Sequence, residues 1–185
     1  MYFIIDLEAT CWERRNVRDR NEIIEIGIVV CQYDGSVEKT YQSFVKPKVN
    51  PILSSFCRNL TNIKQDSVDK ASPLIEVLSF MIGEIETEFS IQAQKTIWFS
   101  FGDWDNICLR RDCERNNIMS PFGKYVDMKM LYTEYGGCNN CGLKDALYRE
   151  GIKWKGDHHR ALDDAINAAS LAPLLITQEF LDSIV

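Results

Sequence analysis

The first ten residues constrain this chain most. Tyr2 to Ile5 are bulky, apolar and partly β-branched. That composition predicts a strand buried on both faces. The strand then carries two carboxylates, Asp6 and Glu8. Residues two apart on a strand point to one face, so two negative charges leave the end of a core strand side by side. Unpaired charge is costly where it is buried. A hard divalent cation answers that arrangement, because such ions take carboxylate oxygens; a solvated Asp-x-Glu at a loop start is the plainer alternative.

The chain that follows predicts an α/β fold. Ile23 to Val30 is a long β-branched run, Asp34-Gly35 signals a hairpin, and Lys39 to Val45 returns as a partner strand. The first three strands therefore form an antiparallel meander. Gly27, in mid-strand, implies close packing by something opposite. Helices are expected over 51–60, from Ser72-Pro73 to about Phe89, from Trp104 to Asn116, over 128–135, over 143–149, and from about His159 or Ala161 to Ile176 with Pro173 near a kink or the end. Strands are expected over 95–101 and 125–127. The result is a mixed five-stranded sheet, antiparallel first and parallel later, flanked by helices in a single domain over 1–185. In such sheets ligands gather at the carboxyl ends of strands. Both the first strand and the 95–101 strand end in acidic residues.

Bulk properties narrow the function. Net charge is −6, which excludes a histone-like binder with a general attraction to nucleic acid. It leaves room for a nuclease, whose metal site itself needs carboxylates. No apolar run is long enough to span a membrane, and a strand beginning at residue 2 leaves no space for a signal peptide. Seven scattered cysteines read as reduced thiols in a cytoplasmic protein. Cys138-Asn-Asn-Cys141 alone is too little for a zinc site and is given no special role. Glu13 to Arg20 holds four arginines in eight residues, either a solvated loop or a basic flank for phosphate.

The other chemistry-bearing residues come late. Asp103 sits at a strand-to-helix turn as a candidate helix cap, while Asp105 opens the helix after Trp104. In His158-His159-Arg-Ala-Leu-Asp163-Asp164 two His-to-Asp spacings coincide. Helix faces separate them. Asp164 shares a stripe with Ala161, Ala168 and Leu171, so it points inward; Asp163 shares one with Arg160, Asn167 and Ser170, so it points outward. His159 lies just ahead of the helix and reaches over the same site. Asp6, Glu8, Asp105 and Asp164 cannot all ionise together without cations between them. Two divalent ions, Mg²⁺ or Mn²⁺, would satisfy them and serve phosphodiester cleavage. His159 suits a general base.

On these motifs — Asp6-Leu-Glu-Ala-Thr10, Trp104-Asp105 and His159-Arg-Ala-Leu-Asp-Asp164 — the chain resembles DEDDh-type (DnaQ-like) 3′→5′ exonucleases with the ribonuclease-H-like fold. Glu8-Ala-Thr-Cys-Trp12 and Ser55-Phe-Cys-Arg-Asn-Leu-Thr-Asn-Ile63 resemble the Eri-type and KapD-like group within them. The resemblance implies RNA 3′ ends as the leading substrate and nucleoside 5′-monophosphates as products. It implies Asp6, Glu8 and Asp164 as metal ligands, with Asp105 direct or through water. It also implies Ala9 and Thr10 in the terminal-nucleotide pocket, with Phe56 and Trp104 against the terminal bases. Asn62 stands where that group's usual motif has glycine, and asparagine tolerates the left-handed turn better than most residues. A single-stranded DNA exonuclease, or a binding module on the same fold, are the alternative readings.

Overall fold

A computed structural model describes residues 1–13, 20–136, 138 and 141–184. The basic stretch falls mostly outside these residues. Five strands, β1 (Tyr2–Ala9), β2 (Ile23–Cys31), β3 (Val37–Phe44), β4 (Trp98–Ser100) and β5 (Tyr125–Asp127), form one sheet in the order β3-β2-β1-β4-β5. β1 pairs antiparallel with β2, and β2 with β3, whereas β4 runs parallel to both β1 and β5. This is the expected mixed sheet. The Asp34-Gly35 hairpin is present, with Gly35 at φ 85°.

The helices are α1 (Ser55–Thr61), α2 (Gln65–Asp69), α3 (Leu74–Phe89), α4 (Trp104–Arg115), α5 (Met128–Glu134), α6 (Leu143–Arg149), α7 (Ala161–Ala169), α8 (Ala172–Leu175) and α9 (Gln178–Ile184). They cover both faces of the sheet, and the alternation along β1 assigns the faces. Phe3, Ile5 and Leu7 share a core with Leu74, Val77 and Met81 of α3 and Leu109 of α4. Tyr2 and Ile4 share the opposite core with Met128 and Tyr132 of α5 and Ala165 and Ala168 of α7. Asp6 and Glu8 continue the even-numbered series, so strand period alone turns them toward α7.

Several boundaries differ from expectation. The 95–101 strand shrinks to Trp98–Ser100, because Ala93–Lys95 forms a 3₁₀ turn ahead of it. The long last helix breaks at Ser170 and Leu171, before Pro173, giving α7 and α8. α3 starts one residue later than Ser72-Pro73 suggested, with Pro73 itself at the cap position. α2 and α9 were not anticipated; both are short and carry little apolar periodicity. Asn62 ends α1 at φ 56°, in the left-handed conformation expected of it. Among the described residues, no helix is long and apolar enough to cross a membrane.

Candidate active site

Three of the four predicted carboxylates converge. Ligand oxygens of Asp6, Glu8 and Asp164 all lie within 4.8 Å of one another. β1 delivers the first two and the opening turn of α7 the third. The close approach of α7 depends on Gly27, which pairs with Asp6 across the sheet. A Cβ at Gly27 would sit 2.4 Å from the Ala161 backbone, so only glycine admits this helix. Asp105 is also buried, in the first turn of α4, lining the same cleft but outside that close group: its Oδ1 accepts the Leu7 N–H at 3.0 Å, between the two β1 carboxylates. The turn leading into α4 is held by Asp127, whose Oδ1 accepts the N–H groups of Gly102 and Lys129. Asp103 occupies the α4 cap position, but its side chain accepts the Asn106 amide rather than a backbone N–H.

This arrangement strains every carboxylate in it. Burial first, then Asp105, Glu8 and Asp164, push Asp6 well above the usual carboxylate range. Glu8 rises well above it too, through burial and then Asp164 and Glu25. Burial lifts Asp105 to about 7 despite the Leu7 hydrogen bond, and lifts Asp164 to about 6. Among the described residues, the basic groups within 4.0 Å of the trio are the two histidines. An all-oxygen donor set, convergent and with no lysine or arginine ion pair among the described residues, fits a hard divalent cation.

His158 and His159 stand at the mouth. His159 Nδ1 is 4.0 Å from Glu8 Oε1, and His158 Nε2 is 3.9 Å from Asp164 Oδ1. Their rings lie 4.0 Å apart, and Trp154 meets His158 edge-on at 4.9 Å. Burial pushes both pKa values down; Lys144 adds to the effect at His158, and His158 adds to it at His159. A neutral imidazole can accept a proton. His159 has φ 63°, an uncommon backbone state for a non-glycine residue, which swings it out of line with α7.

The carboxylates and histidines border a cleft of about 480 Å³. Ala9 and Trp104 line it, as do Cys11, Asn21, Leu60, Phe101, Lys129 and Leu143. Of the other two predicted substrate contacts, Thr10 is buried beside the cleft, its hydroxyl accepting the Glu22 N–H at 3.0 Å. Phe56 is half-exposed on α1, one turn before Leu60. A second hollow, about 550 Å³ and lined by Phe44, Val77 and Phe80, is larger but gathers no such carboxylate cluster. Asp163 is not simply solvated as expected: it accepts the Asp157 N–H at 2.8 Å, and Asn167 on the same stripe is fully buried. Cys138 and Cys141, expected as free thiols, are joined in a disulfide, with Cys141 at the cleft wall. The residue that sequence reasoning missed is Glu25. It lies directly opposite Glu8, and the acid interrupting the β2 apolar run was its only signal.

Residues 3–172 match a family model described as exonuclease, of the RNase T type. Human ERI1 exoribonuclease 2 is 34% identical over 91% of this chain, and the zebrafish (Danio rerio) protein of the same name is 34% identical over 94%. The chain spans 27% and 34% of those two relatives' lengths. The solved nuclease domain of 3′hExo, a DEDDh family member bound to rAMP, superposes with a TM-score of 0.85 at 29% identity, covering 99% of this chain and 92% of that one. E. coli exonuclease I, at 14% identity and a TM-score of 0.70, covers 98% of this chain and 42% of its own and shares the fold.

Proposed function

Because the chain belongs to the RNase T exonuclease family, we propose that it is a metal-dependent 3′→5′ exonuclease. It acts on RNA 3′ ends and releases nucleoside 5′-monophosphates. The observation that carries this reading is the convergence of Asp6, Glu8 and Asp164 beside His159 at the mouth of one cleft. The RNA preference rests on the relatives named exoribonucleases, and on the 3′hExo domain with its bound rAMP.

In this reading Asp6, Glu8 and Asp164 hold two divalent ions, Mg²⁺ or Mn²⁺, with Asp105 completing the set. Ions bound there would neutralise the four carboxylates and supply Lewis-acid polarisation of the scissile phosphodiester. His159, through the Nδ1 turned toward Glu8, takes the proton from the attacking water. Trp104, Phe101, Leu60 and Ala9 provide apolar walls for the bases; stacking of that kind tolerates any sequence, as stepwise degradation requires.

The test is a time course on 5′-labelled single-stranded RNA and the matching DNA, each with Mg²⁺, Mn²⁺ or a chelator. A metal-dependent ladder shortening one nucleotide at a time, faster on RNA, is expected. Faster shortening of DNA would reassign the substrate. No shortening of either would leave a binding module.

A further inference from the structure

Glu25 is a fourth carboxylate on the face that carries the trio, and with Asp105 a fifth at the site. It pairs with Glu8 across β1 and β2, so both side chains point toward α7, and it has no solvent exposure. Yet it does not join the ion-binding oxygens. Its carboxylate accepts Nε and Nη2 of Arg160 at 2.7–3.2 Å, the Ala161 N–H at 3.1 Å, and the Gln42 amide. All four of its contacts are donors, so its lone pairs are taken up by Arg160, Ala161 and Gln42 rather than turned toward the trio.

Arg160 ties this pair to the chemistry. It lies between His159 and the first residue of α7. Its guanidinium sits over the Phe44 ring, 5.6 Å from the centroid. Its backbone N–H donates to Asp164 Oδ2 at 3.0 Å, and the Asp164 N–H returns to its carbonyl at 2.9 Å. One residue thus grips Glu25 with its side chain and Asp164 with its backbone, and the strained His159 precedes it directly.

We infer that Glu25 and Arg160 are a positioning pair: Arg160 withholds a fifth buried carboxylate from the ion-binding trio and clamps the turn that presents His159. The inference rests on the exonuclease reading. Geometry accounts for the choice of residue. A guanidinium fork meets two carboxylate oxygens at once and fixes direction as well as charge, which a lysine ammonium cannot do. Without Arg160, Glu25 becomes an extra negative group beside Glu8. Without the charge of Glu25, a guanidinium stands uncompensated near the ions the trio must attract.

The experiment measures Mn²⁺ binding by calorimetry, and kcat and KM on 5′-labelled RNA, for the full chain and for E25Q, R160M, R160K and the E25Q/R160M double variant. E25Q should weaken Mn²⁺ binding at least fivefold. R160M should bind Mn²⁺ no more weakly than the wild type, yet lose at least tenfold in kcat with KM within twofold. The double variant should return Mn²⁺ affinity to within twofold of wild type while kcat stays low. If R160M fails to fold, R160K decides, with at least a threefold loss of kcat expected. Folded variants that lose thermal stability but keep wild-type Mn²⁺ affinity and kcat would overturn the inference and leave a merely structural ion pair. A wild-type chain that neither binds Mn²⁺ nor cuts would instead overturn the exonuclease reading.

Discussion

Asp6, Glu8, Asp105 and Asp164 are held where their charged forms are disfavoured, and this has a measurable sign. A carboxyl whose pKa is raised on folding binds its proton more tightly in the folded chain than in the unfolded one. Stability of the metal-free protein should therefore be greatest below pH 4 as far as these groups decide it, and should fall as pH rises from about 4 through about 6 for Asp164 and about 7 for Asp105. Saturating Mg²⁺ should flatten that slope, since the ion replaces the protons; thermal melts across this range, with and without the ion, check it. Asp164→Asn should abolish cleavage and, at pH 7 without metal, raise the melting temperature. Relieving ~1 kcal/mol corresponds to ~2–4 °C in a domain of this size. A lower melting temperature would show that the Asp164–Arg160 backbone bond outweighs the cost of burying the charge. Aspartates that destabilise the fold holding them are expected at a site built for cations rather than for stability.

At the scale of elements, the site depends on how closely α7 approaches β2. Gly27→Ala would drive a methyl into the Ala161 backbone, which cannot yield as a flexible side chain could. It should destabilise the protein by ~2–3 kcal/mol or more, as overpacking does. It should also lower activity at least tenfold by displacing Asp164, and denaturant melts together with cleavage rates test both. The hydrophobic periods of α3 and the β-branched run of β2 were readable because their faces are wide and uniform. α2 and α9 were not, since a five- or seven-residue helix shows too few turns for a stripe to stand out. The break between α7 and α8 was expected at Pro173, but the chain leaves the helix at Ser170 and Leu171 and places the proline in the first turn of α8, where a missing N–H costs nothing.

Taken as a whole, the molecule carries a net charge of −6, and its carboxylate cluster opens on a small cleft of about 480 Å³. RNA binding should therefore involve few phosphates. With a slope of ~0.7 per phosphate for single strands, three contacts would give a log–log salt dependence near ~2. Fluorescence anisotropy with inactive Asp6→Asn protein should show that slope, and a four-nucleotide RNA should bind nearly as well as a twenty-nucleotide one. A slope above ~5 would point to an extended basic track outside the cleft.

The sequence alone was enough to tell which segments form the strands of the sheet and the stripes of helix, to place Asp6 and Glu8 on a shared face, and to turn Asp164 inward. Each of these follows from a local period of two or of 3.6 residues. It was also enough to choose Asp164 over Asp163 for the site, although not to see that Asp163 and Asn167 are engaged rather than solvated. Only the tertiary structure decided that Asp105 bonds to the Leu7 backbone, that Cys138 and Cys141 pair, and that Glu25 stands opposite Glu8 in the grip of Arg160. Glu25 and Arg160 are 135 residues apart. No periodicity reaches across such a distance; the register between β1 and β2 and the packing of α7 over Gly27 bring them together.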